Sequence, residues 1–252
     1  MPLEEIINRQ GIIISAPASG AGKTTVTLGL INAFARKGSV QPFKSGPDYI
    51  DSKFQSVAAD RPSYNLDTWA MSSRDILNMI GMVAPSDICI AEGSMGLFDG
   101  VISKGAGGNG STADLASITN WPVILVVDCA KQAQSVAALI TGFNSFRHDI
   151  TIGGIILNNI SSKRHEALIV SEVSKTKVPI LGVIPRSNEL TIPERHLGLV
   201  QAEDLSDLEQ LIFKLGTLIE ENCDLEAIAC TARKSSPAIP TLQKITPPAQ
   251  RI

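Results

Sequence analysis

Strand-length apolar runs alternate with helix-length amphipathic stretches along most of the chain. The runs Gly11–Ser15, Val40–Lys44, Asp87–Ala91, Val123–Asp128, Ile152–Asn158 and Ile180–Ile184 are rich in Ile and Val and show no in–out alternation. A strand covered by helices on both faces has no polar side, so this pattern predicts central strands of a parallel sheet. Between the runs, Lys23–Lys37, Ser73–Met82, Thr112–Thr119, Gln132–Phe146 and Lys163–Ser174 read as helices, and Asp204–Glu221 as a last amphipathic one. The alternation implies an α/β fold, with a doubly wound, mostly parallel sheet flanked by helices. Residues 1–234 are expected to form one domain. From Ser235 the composition turns to Ser and Pro, which predicts an extended linker over residues 235–252.

Sheets of this kind bind ligands beyond the carboxyl ends of their strands. The segments to inspect are therefore Ala16–Thr24, Ser45–Asp51, Glu92–Asp99, Asp128–Lys131, Asn158–Asn159 and Pro185–Arg186. Leu97–Ser111 is glycine-rich and reads as a mobile loop, either a lid over the site or a plain crossover. Ser111 or Thr112 is expected to cap the helix that follows, with Asp114 in its first turn.

Composition narrows the function classes. The net charge is −3 and Lys and Arg form no long run, which argues against a nucleic-acid partner. No apolar stretch has signal-peptide or membrane-spanning length, so a cytoplasmic protein without a membrane partner is expected. Cys89, Cys129, Cys223 and Cys230 show no C-x-x-C spacing and read as reduced thiols.

The strongest local signal is Gly11-Ile-Ile-Ile-Ser-Ala-Pro-Ala-Ser-Gly-Ala-Gly-Lys-Thr-Thr25, a strand, a small-residue loop and a helix start. Backbone N–H groups of Ser19, Gly20, Ala21, Gly22, Lys23, Thr24 and Thr25 can wrap a phosphate, helped by the positive end of the helix dipole. Lys23 is placed to reach the β- and γ-phosphates, and Thr24 to offer its hydroxyl to Mg²⁺. Pro17 replaces the first glycine of the strict G-x-x-x-x-G-K-[ST] pattern. Ala18 stands where MinD- and ParA-type ATPases carry an additional lysine, which disfavours a regulatory ATPase of that type.

Two carboxylate segments follow. Lys44-Ser-Gly-Pro-Asp48-Tyr49-Ile50-Asp51 offers two acidic groups beside Tyr and Lys, able to hold Mg²⁺ and touch a substrate, although Gly-Pro-Asp is equally an ordinary turn. Glu92 ends a strand where P-loop folds place a second Mg²⁺-directed carboxylate.

Taken together, Ala16–Thr25, Lys44–Asp51, Ala91–Gly100, Gly110–Asp114 and Arg195–Leu199 resemble, in order and spacing, the cobyrinic acid a,c-diamide synthase family. Dethiobiotin synthetase shares the fold and much of the ATP site, but the Gly-Pro-Asp-Tyr and Arg-His-Leu-Gly-Leu segments point to the amidase-type ligases. The resemblance implies a P-loop ligase that uses ATP and Mg²⁺ to amidate the a- and c-acetate carboxylates of a corrinoid through acyl phosphates. It implies phosphate binding by Lys23 and the loop, Mg²⁺ near Thr24, Asp48 and Glu92, and substrate carboxylates beside Tyr49, Ile50 and Asp51. Asn158 and Asn159, with Pro185 and Arg186, are the implied adenine neighbours. The family continues into a glutaminase that supplies ammonia, and no cysteine here sits in a Gly-x-Cys-x-Gly elbow. The resemblance also suggests a homodimer. A nickel sirohydrochlorin a,c-diamide synthase has nearly the same motifs and remains an alternative at this point.

Overall fold

The computed structural model describes residues 9–187 and 208–233. The strands are β1 (Gly11–Ser15), β2 (Val40–Ser45), β3 (Tyr64–Leu66), β4 (Ile88–Glu92), β5 (Val123–Asp128), β6 (Ile152–Ile160) and β7 (Ile180–Pro185). The helices are α1 (Lys23–Ala35), α2 (Tyr49–Ala59), α3 (Ser73–Met82), α4 (Thr112–Thr119), α5 (Val136–Phe146), α6 (Lys163–Val173), α7 (Leu208–Asn222) and α8 (Leu225–Arg233).

The strands form one sheet in the order β3-β2-β4-β1-β5-β6-β7, and every neighbouring pair is parallel. Successive strand residues serve opposite faces. Ile12, Ile14, Ile90, Ile124 and Val126 pack with Val26 and Leu30 of α1, Phe54 of α2 and Leu215 of α7. Ile13, Ala91, Leu125 and Val127 pack with Ile76 of α3, Leu115 of α4, Ile140 of α5 and Ile169 of α6. Both faces are thus apolar, which is why the runs read as continuous. Each side chain of this kind contributes about 1.5–3 kcal/mol by leaving water.

All six expected strands are present, with ends shifted by a residue or two. Three elements escaped the sequence reading. β3 is a short edge strand beginning at a half-exposed Tyr64. α2 lies where only a turn was expected, and its buried face includes Ser52 and Gln55 beside Phe54 and Ala58. Half of that face is polar, so the hydrophobic period is weak. α8 fully buries little beyond Ile228 and Ala232. α5 starts at Val136 and not at Gln132, because Gln132 folds back: its N–H donates to Cys129 O and its amide to Asp128 O. The last long helix is described from Leu208 onward. The expected linker and the Arg195–Leu199 motif lie outside the described residues.

The glycine-rich crossover has contacts that the sequence did not show. It is stitched to the segment after β3: Ala106 N–H donates to Trp69 O at 2.8 Å and Gly107 N–H to Thr68 O at 2.9 Å. A Cβ on Gly105 would collide with the Trp69 carbonyl. Glycine here allows two backbones to touch, so this part of the segment packs on the loop after β3. Ser111 does cap α4, accepting from Asp114 N–H at 3.2 Å.

Candidate active site

The phosphate loop is built by the end of β1 and the start of α1. Gly20 and Gly22 hold φ of 78° and 90°, a region that side chains resist. Asn158, at the end of β6, donates from Nδ2 to Ala21 O at 3.0 Å. A Cβ on Gly22 would run into that amide. The loop is therefore pinned from a strand far away in sequence. α1 follows with no side chain capping its start, which leaves its first N–H groups to an anion. Lys23 Nζ, mostly buried, donates to Met95 O at 2.5 Å, and burial lowers its pKa.

Strand register assembles the charged end. Glu92 on β4 is the register partner of Ile14 on β1 and of Lys44 on β2. Glu92 is fully buried and fully used. Its Oε1 accepts from Thr24 Oγ1 at 2.8 Å and pairs with Lys44 Nζ at 3.1 Å, while Oε2 accepts from Gln55 Nε2 at 2.7 Å. Lys44 Nζ also meets Asp51 Oδ2 at 2.5 Å and Asp48 Oδ2 at 3.9 Å. Burial would lower the Lys44 pKa, but Glu92 and Asp51 outweigh it and hold the ammonium charged. Burial, then the Glu92 carboxylate, push the Asp51 carboxyl up to about 6 against the pull of Lys44.

Asp48 is the N-cap of α2. Its Oδ1 accepts from Ile50 N–H at 3.0 Å and Asp51 N–H at 3.2 Å. The turn and the ligand readings of this segment thus meet in one residue: the carboxylate starts a helix and leaves Oδ2 toward Lys44.

For Mg²⁺, the geometry favours Thr24 and Glu92. Their oxygens are 2.8 Å apart, close to the ~2.9 Å edge of an octahedron with Mg–O bonds of about 2.1 Å. Asp48 does not join them directly, because the Lys44 ammonium bridges it to Glu92. Among the described residues no group of three His, Cys, Asp or Glu side chains is placed to hold a metal ion by itself. The donor set suits an ion that keeps waters and phosphate oxygens as its other ligands.

A cavity of about 500 Å³ joins these parts. It runs from Ser19 and Lys23 past Glu92 to Asp48 and Asp51 at one end, and to Asn158, Asn159 and Pro185 at the other. Thr24, Thr25, Gly20 and Gly22 also line it. Three expected residues have other places. The Tyr49 side chain is largely exposed outside the cavity. Ala21 is buried and contributes its carbonyl to Asn158. Arg186 is outside the lining, and its N–H donates to Ile160 O at 2.9 Å. Asn159 sits at φ 60° and donates to Asp128 Oδ1 at 2.8 Å, so Asp128 braces the cavity edge and does not face the ligand space.

The sequence reading missed Gln55 and undervalued Lys44. Lys44 carried a signal, a lysine ending an apolar strand run. Gln55 carried none, because its partner is 37 residues away.

A family model described as the CobQ/CobB/MinD/ParA nucleotide binding domain matches residues 12–200. The chain belongs to this nucleotide-binding family. Within it, the chain is 46% identical over 244 residues to a hydrogenobyrinate a,c-diamide synthase of Rhodobacter capsulatus, covering 96% of this chain and 56% of that protein. It is 47% identical over 222 residues to the enzyme of the same name from Brucella anthropi, covering 87% of this chain and 50% of that protein. The chain thus spans about half the length of the curated relatives it matches. Among solved structures, chloroplast FtsY of Physcomitrella patens aligns with a TM-score of 0.49 at 15% identity, covering 81% of this chain and 65% of that chain. The cavity described above lies at the carboxyl ends of β1, β4 and β6, and most of its lining falls within the residues that the family model matches.

Proposed function

We propose that this chain is the ATP- and Mg²⁺-dependent half of a hydrogenobyrinate or cobyrinate a,c-diamide synthase. The observation that carries the proposal is the pair of lysines, Lys23 and Lys44, converging with Glu92 on one end of a single cavity. A carboxylate is a poor electrophile. Transfer of the γ-phosphoryl group to its oxygen, with ADP leaving, supplies a leaving group. Ammonia then adds to the acyl carbon, phosphate departs, and a proton is lost to water.

The residues suit this sequence of steps. The loop N–H groups and Lys23 hold the transferring phosphoryl group. Lys44, kept charged by Glu92 and Asp51, can turn to the incoming substrate carboxylate and cancel its repulsion against phosphate. Thr24 and Glu92 would hold Mg²⁺, which supplies charge neutralisation between the phosphates. Asn158, Asn159 and Pro185 would flank the base at the far end of the cavity. Ammonia would come from a glutaminase partner or as free ammonium. No helix among the described residues is long and apolar enough to cross a membrane, and a cytoplasmic setting accords with the substrates proposed.

The test is incubation of the chain with ATP, Mg²⁺, ammonium and hydrogenobyrinic acid, followed by product mass. Stepwise conversion of two carboxyls to amides with release of ADP is expected. ATP binding without any amide would sink the ligase reading and leave only the nucleotide site.

A further inference from the structure

The turn that follows β4 carries a carbonyl used by the lysine of the phosphate loop. Lys23 Nζ donates to Met95 O at 2.5 Å, so the place of that carbonyl sets where the ammonium rests in the cavity. Met95 holds φ of 50°, in the left-handed region. A residue with a side chain keeps such a conformation only where its surroundings over-determine it.

The restraint comes from the start of α4. Thr112 is fully buried. Its Oγ1 accepts from Ser94 N–H at 3.1 Å and donates to Ser94 O at 3.2 Å. One hydroxyl thereby fixes the peptide planes on both sides of Ser94, and the second plane leads directly into Met95. Ser94 Oγ is used as well, donating to Ser45 O at the end of β2. On the far side of Met95, Leu97 N–H donates to Ala16 O at 2.8 Å and ties the turn to the phosphate loop.

Two observations separate this contact from helix capping and from chance packing. Ser111 caps α4, so the Thr112 hydroxyl is not needed to start the helix. Room for that hydroxyl is made by a glycine: a Cβ on Gly93 would lie 2.6 Å from Thr112 Oγ1 and 3.1 Å from Ser15 Oγ.

We propose that Thr112 is a positioning residue, acting through Ser94 and Met95 to hold the Lys23 ammonium where the β- and γ-phosphates arrive. An ammonium has three protons, so Lys23 can keep Met95 O as an anchor and give the other two to phosphate oxygens. The inference rests on the ATP-dependent function proposed above and adds to it a residue that neither touches the nucleotide nor lines the cavity.

The test is competition of ATP and of AMP, each with Mg²⁺, against a fluorescent ATP analogue on the parent chain, Thr112→Val and Thr112→Ser. Valine keeps the shape and removes the hydroxyl, whereas serine keeps the hydroxyl. AMP lacks the phosphates that Lys23 serves, so the ratio of the two affinities reports the placement of Lys23. Thr112→Val should lose ATP affinity by about fivefold to tenfold with AMP affinity unchanged, and Thr112→Ser should stay within about twofold of the parent for both. An unchanged ratio in Thr112→Val would overturn the proposal and leave the proposed function in place. Equal loss of both nucleotides, or no recovery in Thr112→Ser, would reduce Thr112 to packing and overturn it too. If Thr112→Val does not fold, Gly93→Ala carries the same test, because its methyl displaces the hydroxyl with Thr112 still present, and an unchanged ratio there overturns the proposal. A parent that binds ATP no better than AMP would remove the role of Lys23, and the proposed function would fall together with the inference.

Discussion

Gln55 Nε2 donates to Glu92 Oε2 at 2.7 Å, with both side chains fully buried. The other end of the same amide accepts from Ser63 Oγ at 2.9 Å, so the amide is oriented from both sides. Gln55 thus decides which Glu92 oxygen faces Thr24 and Lys44. Replacing it with Leu leaves a buried carboxylate oxygen unpaired, at a cost of about 1–3 kcal/mol. Thermal unfolding should show the loss. If Gln55 positions Glu92, turnover should also fall and the Mg²⁺ requirement should rise, whereas an unchanged Mg²⁺ response would reduce Gln55 to a packing role.

Lys23→Met should separate activity from stability. Lys23 is buried, its pKa is lowered by that burial, and its ammonium donates to a carbonyl, Met95 O. A methionine of similar shape removes a costly buried ammonium, so the melting temperature should stay level or rise. ATP-dependent turnover should drop by roughly a hundredfold or more, as expected for loss of a phosphate-stabilising cation. A marked fall in melting temperature would contradict this account.

Gly22→Ala should damage both fold and site. The position combines φ of 90° with a Cβ that meets the Asn158 amide. Left-handed strain alone costs about 1–2 kcal/mol. Asn158→Ala added to Gly22→Ala should recover only the steric part. Calorimetric ATP binding on the two single variants and the double variant checks this, and full recovery would show that the backbone conformation is not the constraint.

Asp87 gives the clearest pH signature. Its Oδ2 accepts from Ser39 N–H at 2.7 Å and Ser39 Oγ at 2.8 Å, and these bonds hold its carboxyl below the ordinary value near 3.8. A carboxyl with a lowered folded-state pKa binds fewer protons folded than unfolded in that range. Its contribution is present above about pH 4 and disappears as pH falls through the lowered value. Asp87→Asn should therefore be less stable than the parent at pH 7 and equal to it near pH 2. Denaturant midpoints across that range measure the convergence, and a constant difference would refute the linkage.

The sequence reading and the structure agree where chemistry is local. The loop from Ala16 to Thr25 is contiguous, and its glycines, Lys23 and Thr24 all lie on the one turn between β1 and α1. The central strands were legible because burial on both faces leaves a continuous apolar run. α2 was not, because its buried face carries Ser52 and Gln55, whose partners Asn65 and Glu92 come from other elements. The close approach of the Trp69 carbonyl to Gly105, within the Leu97–Ser111 segment, was not legible because a sequence does not show which backbone lies against a glycine.

By itself, then, the sequence determined the layered parallel sheet and the phosphate loop. Both follow from short-range rules: a strand buried on both faces is apolar throughout, and a phosphate cradle is one unbroken turn between strand and helix. Only the tertiary structure decided the charge arrangement. Lys44 reaches Glu92 because β2 and β4 are register partners, and Asn158 reaches Ala21 because β6 lies two strands from β1 in the sheet. Strand order joins residues far apart in the chain, and the low-polarity interior then strengthens each pairing that the order permits.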